Sequence, residues 1–527
     1  MKTVVIAGAG PAGLTAADRR REAGGFRVIV CEASDTVGGI SRTVRCGANR
    51  IDIGGHRFFS KNRRVVDKWL DIMPMQTAPA LDERLCGKQP GDSGDSGDGD
   101  PERTDRVMLR RRRVSRIYYL RRFFDYPVSL SMATLSAMGL KRTLRAGIGY
   151  LAEHMRHRDI RTLEDFYISR FGRPLYSMFF EDYTRKVWGV HPSGLSADWG
   201  AQRVKGLSVT AVLRDMLRKS LGLKDRGKVE TSLIEEFMYP KYGPGQLWET
   251  LADNIRERGA ELLMQTEVRQ IHVGGDGKVE AVTVADSEGR VSRIGCDCFM
   301  SSMPVCELVA GIRGDEVPED VRRIAAALPY RDFITVGLLV DSLRISNHTP
   351  LQTYGGRIPD TWIYVQERDV NLGRIQIFNN WSPYMTGDFA GSMWIGLEYF
   401  CNEGDGLWEK SDSDFIAMAI NELESIGIIE AAAVRDSVRI KVRKAYPAYF
   451  GSYSEFGKVR HWLDTIPNLY CIGRNGQHRY NNMDHSMLTA MAAADAVIAG
   501  SSDHSAVWDV NTESEYHEST AGGNSAE

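Results

Sequence analysis

The chain has 527 residues, 43% hydrophobic and 26% charged, with a formal net charge of -2. That length exceeds one compact core and points to two to four domains or subdomains. The charge balance gives no global basic field for nucleic acid or an anionic membrane, and the composition is ordinary for a soluble globular protein.

In chain order, Thr3–Ala7 is an apolar run of the kind that forms a buried parallel strand. Gly8-Ala9-Gly10-Pro11-Ala12-Gly13 follows at once. Leu14–Ala23 then reads as a helix stopped by Gly24-Gly25, and Phe26–Cys31 as a second strand ending in Glu32. This is a βαβ unit in which the GxGxxG spacing has the context that gives it meaning. Gly8 permits the tight turn, Gly10 the approach of a pyrophosphate, and Gly13, beside Ala12, close packing of helix on strand. The helix N-terminus offers oriented N–H groups to phosphates. Glu32 accepts from a ribose 2′-hydroxyl and repels a 2′-phosphate, which disfavours NADP. A second glycine pair, Gly38-Gly39, lies just beyond, with Arg42 after it; Gly54-Gly55-His56 brings more bare backbone.

Gln89–Asp105, rich in Gly, Asp and Ser, reads as a flexible, solvated insertion. The arginines that follow, Arg110–Arg113, Arg116, Arg121 and Arg122, read mostly as solvated, with one or two in reach of a phosphate. Residues 127–222 are mainly helical in pattern, and Lys224–Glu230 is a charged linker. Gly245–Gly259 predicts a helix. Two alternating runs, Glu261–Val273 and Val279–Ala285, flank Gly274-Gly275-Asp276-Gly277 and predict a hairpin. Cys296–Ser302, Phe333–Val340, Arg374–Phe378 and Leu469–Ile472 predict strands, and Ser486–Ala499 a helix. The tail from Ser501 reads as disordered.

The eight cysteines are scattered without zinc spacing and read as buried core residues. No metal site is expected. The N-terminus shows no signal-peptide pattern, and no apolar run is long enough to span a bilayer. The expectation is therefore a cytoplasmic protein without nucleic-acid or membrane partners, its oligomeric state open.

The ordered motifs carry a resemblance. Gly54-Gly55-His56-Arg57-Phe58-Phe59-Ser60, Tyr126-Pro127, Lys186-Val187-Trp188, Trp199 with Arg203-Val204, Trp362-x-Tyr364 with Arg374, Tyr446-Pro447, and Gly473-Arg474 through Arg479-Tyr480 and Asn482-Met483-Asp484-His485-Ser486 resemble, in order, the UDP-galactopyranose mutase family of FAD flavoproteins, within the amine oxidase and protoporphyrinogen oxidase superfamily. The C-terminal loop is two residues shorter than the eukaryotic pattern, and Met483 stands where that pattern has Gln. Taken singly, Arg374 reads as an ion-pair residue, Trp362 and Tyr364 as packing, and His56 as structural.

The resemblance implies an α/β fold: a Rossmann-type, glutathione reductase-like FAD domain (1–65, 231–330, 441–500), an inserted helical domain (66–230) and an antiparallel β-sheet substrate domain (331–440). FAD would be held by Gly8, Gly10, Ala12, Gly13, Glu32, Gly38, Gly39, Arg42, Gly55, His56, Arg474, Asn482, Met483 and Ser486. Trp362, Tyr364, Arg374, Tyr446, Tyr480 and Tyr126 would bind a nucleotide sugar, UDP-linked by preference. His56, Arg203 and Arg374 would be catalytic. The implied reaction is a redox-neutral pyranose–furanose isomerisation with reduced flavin N5 as nucleophile, NAD(P)H or another reductant charging the flavin. The alternative is an FAD oxidoreductase acting on a sugar or metabolite C–N or C–O bond.

Overall fold

The chain folds from the run KTVVIA. Val4, Val5, Ile6 and Ala7 are all buried, although adjacent residues of a strand point to opposite faces. Both faces are therefore covered, as in a parallel sheet. The computed structural model describes residues 1–89, 99–126, 134, 138–156, 159–197, 236–314 and 316–511.

A five-stranded, wholly parallel sheet runs in the order Leu469–Cys471, Cys298–Ser301, Lys2–Ala7, Phe26–Cys31, Glu261–Leu263. Val4, Ile6, Val28 and Val30 point into one core, shared with Trp248 and the helix Met483–Ala499. Val5, Ala7, Ile29 and Phe299 point into the other. The expected hairpin forms between Thr266–Val273 and Val279–Asp286, closed by Gly274 N–H to Lys278 O at 2.8 Å.

The second large sheet has seven strands, ordered Val434–Pro447, Tyr330–Val340, Met393–Cys401, Arg374–Ile377, Trp362–Val365, Ser115–Tyr119, Arg122–Asp125. It departs from the expected antiparallel sheet of 331–440 in two ways. Ser115–Tyr119 pairs with Trp362–Val365 in parallel. The edge strands also come from residues 115–125, which had been expected in the helical part; alternation in SRIYY and RFFD marks them as strand. One face of this sheet packs Ile363, Ile375, Ile395 and Leu397 against Phe415, Ala419 and Leu423 of the helix Asp412–Ser425. The period of two therefore sends Trp362, Tyr364, Arg374, Gln376, Glu398 and Phe400 to the opposite face. That face looks toward the loops of the parallel sheet.

Helices Leu140–His154, Leu163–Phe179 and Glu181–Trp188 supply the helical part, the second kinked where Gly172 has φ +75. Three expectations need correction. Gly99–Asp105 is not loose: Thr77 N–H donates to Gly99 O at 2.9 Å, and Asp100 pairs with Arg84. Arg111 and Arg116 are not solvated but make buried ion pairs with Asp82 and Asp360, at 2.5 and 2.6 Å. The first part of the tail docks through Val507 and Trp508, both buried. Among the described residues no helix is long and apolar enough to cross a membrane.

Candidate functional site

The strand Lys2–Ala7 delivers Gly8 at φ +96, its N–H bonded to Cys31 O at 2.8 Å. A Cβ on Gly13 would lie 1.8 Å from Gly8 O, so helix and turn touch without room for a side chain. A Cβ on Gly10 would meet nothing closer than Gly39 Cα at 3.8 Å. Gly10 and Gly39 thus form two bare walls of one cradle. Glu32 braces it: Oε2 accepts from Ala9 N–H at 2.7 Å and Oε1 from Ser34 N–H at 2.9 Å. Arg42 Nη1 donates to Gly39 O at 3.1 Å and holds the second glycine loop. Burial lowers the Arg42 guanidinium, with Glu32 and Asp35 pulling the other way.

The far end of the chain closes the same cradle. The strand Leu469–Cys471 ends beside Cys298–Ser301 and presents Gly473 at φ +73, where a Cβ would stand 2.9 Å from Ala12 Cβ. Residues some 460 positions apart in sequence therefore meet at the first helix turn. Arg474 follows, over the Tyr446 and Tyr480 rings at 4.9 and 4.2 Å. Its buried Nε and Nη2 have no hydrogen-bond partner among the described residues. The helix Met483–Ala499 starts three residues earlier than expected, because Asn482 serves as its cap, with Asn482 N–H donating to His485 Nδ1 at 3.3 Å. Ser486 N–H closes its first turn on Asn482 O. Two bare glycine walls, the start of the first helix and two guanidinium nitrogens without partners among the described residues fit a dinucleotide-linked, anionic cofactor.

The sheet face opposite carries the second half. Trp362 and Tyr364 stack at 5.9 Å, and Tyr126 stacks on Tyr364 at 4.4 Å. Arg374 lies between Tyr364 and Glu398 in register. Its Nε donates to Tyr183 Oη at 2.8 Å and its Nη1 to Glu398 Oε2 at 3.1 Å, while Gln376 donates to Glu398 Oε1 at 2.8 Å. Burial alone would lower the Arg374 guanidinium; Tyr183 and Glu398 outweigh it, so the group stays charged. Burial lifts the Glu398 carboxyl, and Arg374 and Gln376 only partly reverse this. Tyr446 stacks on Tyr480 at 5.7 Å, with Trp188 edge-on at 6.5 Å.

The loop 54–56 joins the halves. A Cβ on Gly55 would lie 1.8 Å from Trp362 Cζ3, so the indole rests on bare backbone, and a Cβ on Gly54 would be 4.0 Å from Glu398 Oε1. The Trp362 Nε1–H is buried without a partner among the described residues. His56 shares a hydrogen with Gly54 O through Nδ1 at 3.0 Å, which leaves Nε2 as the acceptor. Burial first, then the Arg474 charge, pushes His56 down to about 4, so it is neutral at physiological pH.

The model of the family described as "Flavin containing amine oxidoreductase" matches residues 11–498. The chain belongs to that family. FAD is its cofactor. Among solved structures, this flavoprotein is similar to a reduced UDP-galactopyranose mutase (TM-score 0.71, 20% identity, 97% of each chain covered). It is also similar to a protein described as a putative protoporphyrinogen oxidase from Exiguobacterium sp. 255-15 (0.63, 16%, 95% and 98%). A third is cyclohexylamine oxidase from Brevibacterium oxydans IH-35A (0.57, 13%, 95% and 99%). At these identities the likeness establishes the fold.

Of the residues singled out from sequence, Arg203 lies outside the described residues, as do Pro127, Trp199 and Val204. The rest gather around the cradle and the facing sheet. The sequence reading missed Tyr183, Gln376 and Glu398. A signal existed for the last: Glu398 is the one charged residue in the otherwise apolar strand MWIGLEYFC. Lys186 has a structural task in this flavoprotein, capping Glu367 O and Leu372 O at 2.6 and 3.1 Å.

Asp52, also unsuspected, supports the 54–56 loop from below. Its Oδ1 accepts from Thr43 Oγ1 at 2.8 Å, its Oδ2 accepts from Tyr239 Oη, and its backbone O accepts from Gly54 N–H at 3.0 Å. Burial pushes the carboxyl up to about 7, against the pull of both hydroxyls. The folded value lies above the unfolded one, so the stability from this group is complete below 3.8 and is lost as pH rises through about 7. Asp52→Asn is expected to flatten that fall. Urea midpoints at pH 5 and pH 8 check it: wild type loses more stability between the two than the variant, and equal losses exclude Asp52 as the source.

Proposed function

We propose that this flavoprotein acts on a nucleotide sugar, and that its reaction is the redox-neutral interconversion of an NDP-hexopyranose and its furanose, as in UDP-galactopyranose mutases. The observation that carries the reading is charge. Two buried guanidinium groups, Arg374 and Arg474, flank the Tyr446–Tyr480 pair. The carboxylate between the halves, Glu398, is already bonded to Arg374 and Gln376. An ammonium substrate meets repulsion here, whereas a diphosphate finds a planar fork and tyrosine hydroxyls.

In this reading the Gly8–Gly13 turn and the first helix, Ala12 and Gly13 included, would take the cofactor pyrophosphate through backbone N–H groups. Glu32 takes the adenosine ribose, and Gly38, Gly39 and Arg42 line the path onward. Arg474 and the helix start at Asn482, Met483 and Ser486 hold the charge of the reduced ring, with Gly55 and His56 against it. Bound and reduced by NAD(P)H or another donor, FAD supplies the nucleophilic nitrogen of the mutase reaction. Arg374 Nη2, which has no partner among the described residues, takes a phosphate oxygen, and Tyr446 and Tyr480 steady the diphosphate. Trp362, Tyr364 and Tyr126 wall the nucleotide sugar. Neutral His56 accepts through Nε2 and holds no positive charge that would compete with Arg474.

The second reading, an FAD oxidoreductase working on a C–N or C–O bond, rests on the family and on the near-parallel Tyr446 and Tyr480 rings, 16° apart. One experiment separates the two. Dithionite-reduced protein is incubated anaerobically with UDP-galactopyranose and products are resolved by chromatography. A furanose isomer without net electron consumption supports the mutase. Substrate loss only in air, with stoichiometric O2 uptake, replaces it with the oxidoreductase.

A further inference from the structure

Seven of the eleven large hydrophobics that stand exposed among the described residues fall between Tyr126 and Ile160. Five of them form one stripe on the helix Leu140–His154 and its cap: Leu140, Leu144, Ile148, Leu151 and Met155, each 58–83% exposed. Steps of four, four, three and four residues keep them on a single face. The opposite face is fixed to the fold. Ala146 and Tyr150 are buried, and a Cβ on Gly149 would stand 2.5 Å from Pro174 Cδ of the neighbouring helix. The helix therefore has two apolar sides, and the described residues cover only one of them.

Charge identifies what covers the other. At 100° per residue, Lys141 and Arg145 run along one edge of the stripe, and Arg156 follows just past the end of the helix. The carboxylate in the helix, Glu153, is on the buried side, 7% exposed. A chain of net charge -2 thus concentrates positive charge beside the main cluster of exposed large hydrophobics among its described residues. The same helix of a second copy brings no complement. Paired antiparallel, the Lys141 end of one helix meets the Arg156 end of the other; paired in parallel, the basic edge faces Thr143 and Gly147. A sheet of anionic headgroups over acyl chains matches both features. The helix, at fifteen residues, is too short to span and suited to lie in the interface.

We propose that the exposed face of the helix Leu140–His154 docks this flavoprotein peripherally on an anionic lipid bilayer, its leucines and isoleucine among the acyl chains and Lys141, Arg145 and Arg156 at the headgroups. The proposal is independent of the substrate. It departs from the expectation of no membrane partner, which rested on net charge and on the lack of a spanning run; a local pattern is averaged away in the sum.

The test is flotation of FAD-loaded protein with vesicles of phosphatidylcholine alone or of equal parts phosphatidylcholine and phosphatidylglycerol. Wild type is expected to float with the anionic vesicles and to be released by salt. Leu144→Ser with Leu151→Ser is expected to lower partitioning about 100-fold, with bound FAD and the thermal midpoint retained. Lys141→Gln with Arg145→Gln, which leaves the apolar face alone, lowers binding to the anionic vesicles only, and carries the test if the serine variant fails to fold. Protein that stays at the bottom with both vesicle types overturns the proposal. So does a wild-type dimer by light scattering that the serine pair turns into monomer without any vesicle binding.

Discussion

Gly10→Ala is expected to leave the stripped protein's unfolding free energy within about 0.5 kcal/mol of wild type and to weaken FAD binding by about 1.5–3 kcal/mol, roughly 10- to 100-fold. The contrast with Gly13 gives the reason. At Gly13 a methyl group strikes Gly8 O at 1.8 Å, so the first helix has to move off its strand before any ligand is considered. At Gly10 the nearest atom is 3.8 Å away and belongs to the facing glycine loop. A methyl group on Gly10 would meet the Gly39 loop only at ordinary contact distance, so under the proposed reading its cost falls on the pyrophosphate that approaches this backbone. Urea midpoints of the apoprotein and FAD titrations by flavin fluorescence separate the two cases: Gly13→Ala loses stability first, Gly10→Ala loses cofactor with the fold intact. Wild-type FAD affinity in Gly10→Ala means that the pyrophosphate does not cross this residue, and the cradle has been placed wrongly.

That cradle was legible because its determinants are local. Gly8, Gly10, Gly13 and Glu32 occupy one βαβ unit, and spacing within such a unit fixes geometry. The C-terminal closure at Gly473 and Arg474 was legible only through the order of motifs, since nothing in those residues alone says that Gly473 will touch Ala12. The residues that set the electrostatics were not legible. Glu398 reaches Arg374 across a strand pairing 24 positions long, and Tyr183 reaches it from a helix in another part of the chain. Register and helix docking decide such contacts, and neither is written in composition. The same limit explains the boundary error at 115–125. The alternation in SRIYY and RFFD went unread among the arginines, and the partner that gives these short strands their place, Trp362–Val365, lies some 245 residues away. Reading Arg374 as an ion-pair residue and reading it as a ligand fork both hold a part of the answer: it has a buried partner and keeps one nitrogen uncommitted.

Arg374→Ala is expected to separate these two roles. With the guanidinium gone, Glu398 is left fully buried with Gln376 as its donor. Breaking a buried pair from one side costs about 3–5 kcal/mol when the remaining charge stays ionised. Burial already lifts the Glu398 carboxyl, and loss of Arg374 lifts it further. The folded value then stands above the unfolded one, so the variant's stability is greatest in acid and falls as pH rises. Its deficit is expected to be small at pH 5 and large at pH 8, by urea unfolding. Arg374→Ala combined with Glu398→Gln removes the stranded charge and should recover most of the loss at pH 8. Affinity for UDP should not recover with it. Truncating a charged hydrogen-bond donor to a phosphate costs about 2–5 kcal/mol, roughly 30-fold or more, and the double variant restores no cation. A double variant that is stable and still binds UDP as wild type would falsify Arg374 as the diphosphate contact and leave it as the partner of Glu398. A stable double variant blind to UDP assigns the anion to Arg374 on grounds that loss of folding cannot imitate.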